Sequence, residues 1–173
     1  MKSNLAILCL TLLPSAIPAQ IPKSQHGSVT QRVGTTDIAI VYNRPTARGR
    51  ELFGHLVPWG RLWHPGADSA TTISFSNDVT IDGHPLAAGR YTLWTIPNEP
   101  PKPWTVIFNR GTGVWHTNYP GESQDALRVE ATPETGGPLE TLTYYFPMVD
   151  GDSALLRLHW GTTVVPLRIR APR

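Results

Sequence analysis

Thiols and lysines are almost missing from this chain. Its one cysteine, Cys9, lies in the apolar stretch near the N-terminus. The rest of the chain therefore has no disulfide, no thiolate metal site and no cysteine nucleophile. Of the 15 basic residues only Lys2, Lys23 and Lys102 are lysine, and the formal net charge is just +2. No run of Lys and Arg and no RNA-binding box appears, so no nucleic-acid partner is expected. Charged residues make up 16% of the chain, below the usual quarter or so of soluble proteins. No segment keeps a helical period beyond one or two turns, and there is no internal repeat or low-complexity tract. No Gly-x-Ser-x-Gly or His-Glu-x-x-His pattern occurs. No apolar run approaches the roughly 20 residues that a membrane span needs.

What the chain has is punctuation and rings. It contains 17 Pro and 15 Gly, together with six Trp, five Tyr and four Phe. Turns are therefore frequent, and the aromatic surface is ample for one sizeable core. Lys2 is followed by the apolar stretch Leu5–Leu13, then Pro14, Ser15 and small residues to Ala19. This reads as a secretory leader over residues 1–19, cleaved near Ala19–Gln20, or as an uncleaved anchor if retained. The expected location is periplasmic or extracellular, and membrane-anchored if the leader stays. Residues 20–28 read as a polar tether, and residues 29–173 as a single domain.

Within that domain the period is two. In Asp37–Tyr42, Ala70–Ser76 and Asp78–Asp82 large apolar residues recur at every second position (Ile38, Ile40 and Tyr42; Ile73 and Phe75; Val79 and Ile81), and Arg90–Ile96 and Trp104–Phe108 follow as strands, with β-branched and aromatic residues enriched throughout. Further strands are expected at Ala126–Ala131, Glu140–Phe146, Ala154–Trp160 and Thr163–Ile169. Asp82-Gly83, Ala88-Gly89, the sequence Met148–Gly151, and Gly161 mark turns. The fold class is all-β: an antiparallel β-sandwich, jelly-roll-like, of about eight to ten strands.

One segment breaks the rhythm. From Arg44 to Ser69 runs a long irregular connection, and such a loop inside a compact domain is functional or plugs the core. It holds Arg44, Arg48, Arg50, Arg61, His55 and His64 against only Glu51 and Asp68, and with them Phe53, Trp59 and Trp63. Trp115 stands in a second irregular segment. Trp94, Trp104 and Trp160 fall in strands and are expected in the core.

The stretches Gly49–Gly54, Leu56–Gly60, Trp63, Gly66-Ala67 and Ala70-Thr71, with Gly89–Leu93, Trp104–Asn109 and Tyr119–Val129, resemble the family catalogued as domain of unknown function 2911. The resemblance covers about Ser28 to Ile169. It implies an exported bacterial protein with a β-rich fold, and it brings no assigned activity or catalytic residue. His64-Pro65 stands where that family tends to have Arg and a small residue, and Asp68 stands where Asn is usual.

The residues by themselves leave several chemistries to weigh. His64 and Asp68 could serve a metal site or, with Ser69, a hydrolase, but loop spacing carries little information. Asp125 followed by Arg128 reads as a structural ion pair, and Gly111-Thr-Gly113 lacks the context of a nucleotide loop. The leading expectation is a non-enzymatic binding domain without metal or cofactor. Its partner would be a protein or envelope component, and with a retained leader it would be an accessory subunit of a membrane complex. The binding residues would be Arg44, Arg48, Arg50, Trp59, Arg61, Trp63, His64, Asp68 and Trp115, with arginines for charge-assisted contacts and indoles as anchors. Carbohydrate binding through aromatic rings, and an enzyme centred on His64 and Asp68, are the alternatives.

Overall fold

A computed structural model describes residue 21, residues 23–115 and residues 117–172. The leader read over residues 1–19 lies outside these. Among the described residues ten strands form two antiparallel sheets. The larger contains β1 (Gln25–Val33), β2 (Thr36–Arg44), β3 (Thr72–Phe75), β6 (Gly89–Ile96), β7 (Trp104–Asn109) and β8 (Asp125–Ala131), in that spatial order. The smaller has the order β5 (His84–Leu86), β4 (Val79–Ile81), β10 (Ser153–Arg170), β9 (Glu134–Asp150). A 3-10 turn, Glu122–Gln124, precedes β8. Among the described residues no helix is long and apolar enough to cross a membrane.

The period-two pattern builds this arrangement directly. On β2, Ile38 and Ile40 fall opposite Phe75 and Ile73 of β3, so the branched and aromatic side chains share one face. That face also carries Leu93 of β6 and Phe108 of β7. It closes on Leu142 of β9 and Leu156, Leu167 and Ile169 of β10, all of them buried. Each such side chain contributes roughly 2 kcal/mol on leaving water. The opposite face of β6 and β7 is not left to solvent. Trp94 and Ile107 form a second buried cluster with Ala70, against which Val114 and Tyr119 pack. The antiparallel β-sandwich is thus confirmed, with Trp94, Trp104 and Trp160 buried at 2%, 1% and 3% exposure.

Three expectations need correction. Residues 25–28, read as tether, begin β1, which pairs with β2 over nine residues without a register break. As an edge strand with one face in solvent, β1 alternates weakly and is mostly polar, so its sequence reads as tether. Gly161 is not a turn between two strands. β10 runs through it, and the register shifts on both sides of it. Gly161 has φ 61, and a Cβ there would lie 2.9 Å from Leu52 Cδ1, so a bulge glycine makes room for the long connection. Finally, β9 extends to Asp150, and the turn after it begins only at Gly151.

Candidate functional site

The connection after β2 is anchored at points spread along its length. Arg44 closes β2, and its Nε donates to the Leu142 carbonyl (3.2 Å) while Nη2 donates to Thr143 Oγ1 (2.7 Å). The chain then crosses from the large sheet to the small one. The Leu142 amide donates to the Pro45 carbonyl (2.9 Å) and the Ala47 amide to the Glu140 carbonyl (2.8 Å), which covers part of the free edge of β9. Next comes a tight fold, in which Val57 N–H donates to the Leu52 carbonyl (2.7 Å) and Gly54 N–H to the Val57 carbonyl (2.9 Å). The Trp59 indole lies over Gly54, where a Cβ would meet Nε1 at 2.6 Å. Beyond it the chain returns to the large sheet. Trp63 and Thr95 exchange two backbone bonds of 2.7 Å, and the Gly60 amide reaches the Pro97 carbonyl at 2.7 Å. Where β3 stops, this stretch takes its place beside β6.

The rings of the connection close the end of the sandwich. Phe53 is their hub, with ring centroids 4.8 Å from Trp104, 5.7 Å from Trp63, 6.1 Å from Trp59 and 6.2 Å from Trp160. Trp63 and Trp160 stack at 6.0 Å with an interplanar angle of 13°. Each pair adds about 0.5–1.5 kcal/mol beyond burial. Trp59 and Trp63 are therefore half-buried packing residues first.

Two clefts flank this plug. One, of about 680 Å³, is lined by Arg48, Arg50, Leu56, Leu62, Trp63 and Trp160, with Lys23 and with His64 and Asp68. The other, of about 660 Å³, is lined by Leu52, Phe53, Trp59, Pro100 and Pro138. Arg50 and Trp160 border both. The structure thus brings Arg48, Arg50, Trp63, His64 and Asp68 together and puts Trp59 next door. It turns Arg44 into a cross-link between sheets. Arg61 is exposed and Trp115 is 51% exposed, and neither borders either cleft.

The charge of the cleft is set by guanidinium groups bonded to carbonyls. Arg50 Nε donates to the Ala47 carbonyl (2.8 Å) and Nη2 to the Thr46 carbonyl (2.7 Å). Arg48 Nη2 donates to the Lys23 carbonyl (3.1 Å), and the Arg48 amide donates to Glu140 Oε1. The ion pairs among the described residues lie elsewhere: Arg32–Asp37, Arg128–Glu122, Arg128–Asp125 and Arg157–Glu134. Arg44, Arg48, Arg50 and Arg61 pair with no carboxylate there. Carbonyls fix a guanidinium without neutralising it.

His64 is buried, and its ring faces inward. The Thr71 amide donates to His64 Nε2, while the Thr71 hydroxyl donates to the Pro65 carbonyl (3.0 Å), which also accepts from the Tyr144 hydroxyl (2.9 Å). Because Nε2 accepts an amide proton, it carries none of its own and has no lone pair left for a metal or a substrate proton. Among the described residues no three His, Cys, Asp or Glu side chains gather where a metal ion could sit.

The expected Asp125–Arg128 pair is present and larger than a pair. Asp125 accepts from Arg128 Nε (2.6 Å), Asn109 Nδ2 (2.7 Å) and the Tyr119 hydroxyl (2.7 Å). The bond to Asp125 raises the Arg128 pKa above the ordinary arginine value, and burial raises that of Tyr119. This network ties the stretch after β7, whose Thr117 reaches the first cleft, to β8.

Sequence reasoning missed Lys23, Leu56, Leu62 and Trp160 as cleft residues. Leu56 and Leu62, 40% and 38% exposed, were the available signal: large apolar residues in a segment with no strand alternation. Trp160 gave none, because a strand tryptophan reads as core.

The fold and cleft define a two-sheet β-sandwich whose end is closed by an aromatic plug with a basic rim. The profile of the family described as "Protein of unknown function (DUF2911)" matches residues 24–169, and the chain belongs to that family. No curated protein and no solved structure matches it.

Proposed function

We propose that this domain is a non-enzymatic binding module, exported to the periplasm or outer surface, that engages a protein or envelope component through the Arg48–Arg50–Trp63 cleft. With a retained N-terminal segment it acts as an accessory subunit on the outer face of a membrane complex. The observation that carries the reading is the pairing of unneutralised arginines with exposed leucines. The guanidinium groups of Arg48 and Arg50 have no carboxylate partner among the described residues, and Leu56 and Leu62 stand exposed at the same cleft. Arginine beside apolar surface is the composition of protein-binding hot spots.

Carbohydrate binding has less support, because stacking on sugars needs open ring faces at the cleft, and Trp115, though 51% exposed, borders neither cleft. Trp59 and Trp63 instead pack on Phe53, Trp104 and Trp160. For His64 to act as a base or metal ligand through Nε2 it would have to give up the bond from the Thr71 amide.

The test is co-purification of the tagged full chain from its own membranes, with Leu56→Glu/Leu62→Glu as the comparison. Leu56 and Leu62 are 40% and 38% exposed, and a thermal melt of the double variant shows that it is folded before the comparison is made. The expected result is one recurrent complex with the parent chain and none with the variant. A variant that retains the complex at parental yield overturns the proposal.

A further inference from the structure

The two clefts meet at Arg50 and Trp160, and the charged member of that junction narrows the class of ligand. Arg50 borders both, held on the connection by the Ala47 and Thr46 carbonyls at 2.8 and 2.7 Å. On one side lie Leu56, Leu62 and Trp63, and on the other Leu52, Phe53 and Trp59. The charged side chains around the two clefts are Lys23, Arg48 and Arg50 against Asp68 and Glu140. Glu140 accepts from the Arg48 amide and keeps its charge, but the three cations still outnumber the two acids by one. The balance favours an anion. The arrangement is one fixed cation with an apolar recess on each side.

From this we infer that the occupant is an extended acidic peptide segment of a partner protein. Its carboxylate meets Arg50, and one apolar side chain on each flank enters a cleft. The inference rests on the binding reading above and specifies its ligand. Charge complementarity selects the acid. A guanidinium already fixed by two backbone carbonyls loses little freedom on pairing, which favours binding. The apolar flanks follow from the leucine and aromatic linings, whose cover removes exposed Leu56 and Leu62 from water. An extended chain suits the geometry because a single small anion would fill neither recess.

The probe is an array of acetylated, amidated peptides of about eleven residues, long enough to cross a groove in extended form. The centre is Glu, Gln or Lys, and Leu or Phe is placed one to three residues to each side. Binding to the full chain is read by tryptophan fluorescence. Glu-centred peptides are expected to bind about tenfold or more tightly than their Gln counterparts, as for loss of one charge-assisted bond. Replacing either flanking apolar residue by Ser weakens binding, and Arg50→Gln removes the Glu-over-Gln preference. Because the Glu-to-Gln change is made on the peptide, this test does not depend on a variant folding. Equal binding of Glu and Gln peptides, or no binding across the array, overturns the inference. So does tighter binding of polygalacturonate, which would assign the cleft to an acidic glycan. If Leu56→Glu/Leu62→Glu still abolishes the complex while no acidic peptide binds, the cleft remains the binding site and only its ligand class is wrong.

Discussion

Two irregular segments serve one pair of strands, and they are held by opposite chemistry. The connection from Pro45 to Ser69 closes the end of the sandwich by packing rings around Phe53, four of them within 6.2 Å. The stretch from Arg110 to Gly121 covers the other face of β6 and β7. It is pinned through Tyr119 and Asn109 to one carboxylate, Asp125. Apolar packing shares its energy among many contacts and carries no charge to titrate. The polar anchor concentrates its energy in one group whose loss orphans several donors. The first arrangement leaves its surface arginines free of structural duty to carboxylates, which suits a binding rim. The second consumes Arg128 in the fold.

This contrast can be broken from either side. The largest effect is expected for Phe53→Ala, which removes the hub ring and costs about 3 kcal/mol in denaturant unfolding. The loss should loosen the Leu52–Trp63 region while the Tyr119 side stays ordered. Asp125→Ala is expected to cost about 2 kcal/mol, since Asn109, Tyr119 and the partly exposed Arg128 lose their shared acceptor. Asp125→Asn should cost less, because one acceptor oxygen remains. Similar losses for Phe53→Ala and a peripheral variant such as Trp59→Phe would show that the rings do not act through a hub.

Alkali acts on both segments, since the Tyr119 hydroxyl anchors one and the Tyr144 hydroxyl donates to Pro65 of the other. Burial raises the pKa of Tyr119, of Tyr91 and, most strongly, of Tyr144. The folded state therefore holds these protons more tightly than the unfolded chain. Stability is fully present below the ordinary tyrosine pKa of about 10 and falls as pH rises beyond it. Thermal melts should be level from about pH 7 to 9 and drop above about 10. Tyr144→Phe should flatten that decline, and an unchanged slope would show that Tyr144 does not contribute. The smallest effect belongs to Arg48→Gln. Arg48 is exposed and has one side-chain bond, to the Lys23 carbonyl, so its loss should change stability by no more than about 0.5 kcal/mol. A larger cost would mean that the rim is structural.

Much of the fold was legible because alternation is a local signal. β2, β3, β6, β7 and β8 sit close to their expected positions, and the Asp125–Arg128 pair could be read from its spacing. β1 was not legible: a polar edge strand needs only its partner's backbone, which its own side chains do not announce. Gly161 was ambiguous for a related reason. A positive-φ glycine serves a turn or a bulge equally well, and only the distant Leu52 side chain, packed over it, decides between them. The Arg44–Ser69 segment was legible as special, but the roles within it were not. Arg44 and Arg48 look alike in sequence, yet one cross-links sheets and the other rims a cleft, because partners nearly a hundred residues away set the difference. Likewise Trp59 and Trp63 read as exposed anchors, and long-range contacts with Trp104 and Trp160 make them half-buried.

The account depends most on the connection being a fixed wall and not a loose loop. Native-state amide exchange at Val57, Gly60 and Trp63 tests this directly, because their N–H groups donate to Leu52, Pro97 and Thr95. Protection within about tenfold of the β6 amides is predicted. Exchange near the rate of an unstructured chain at these three positions would contradict it.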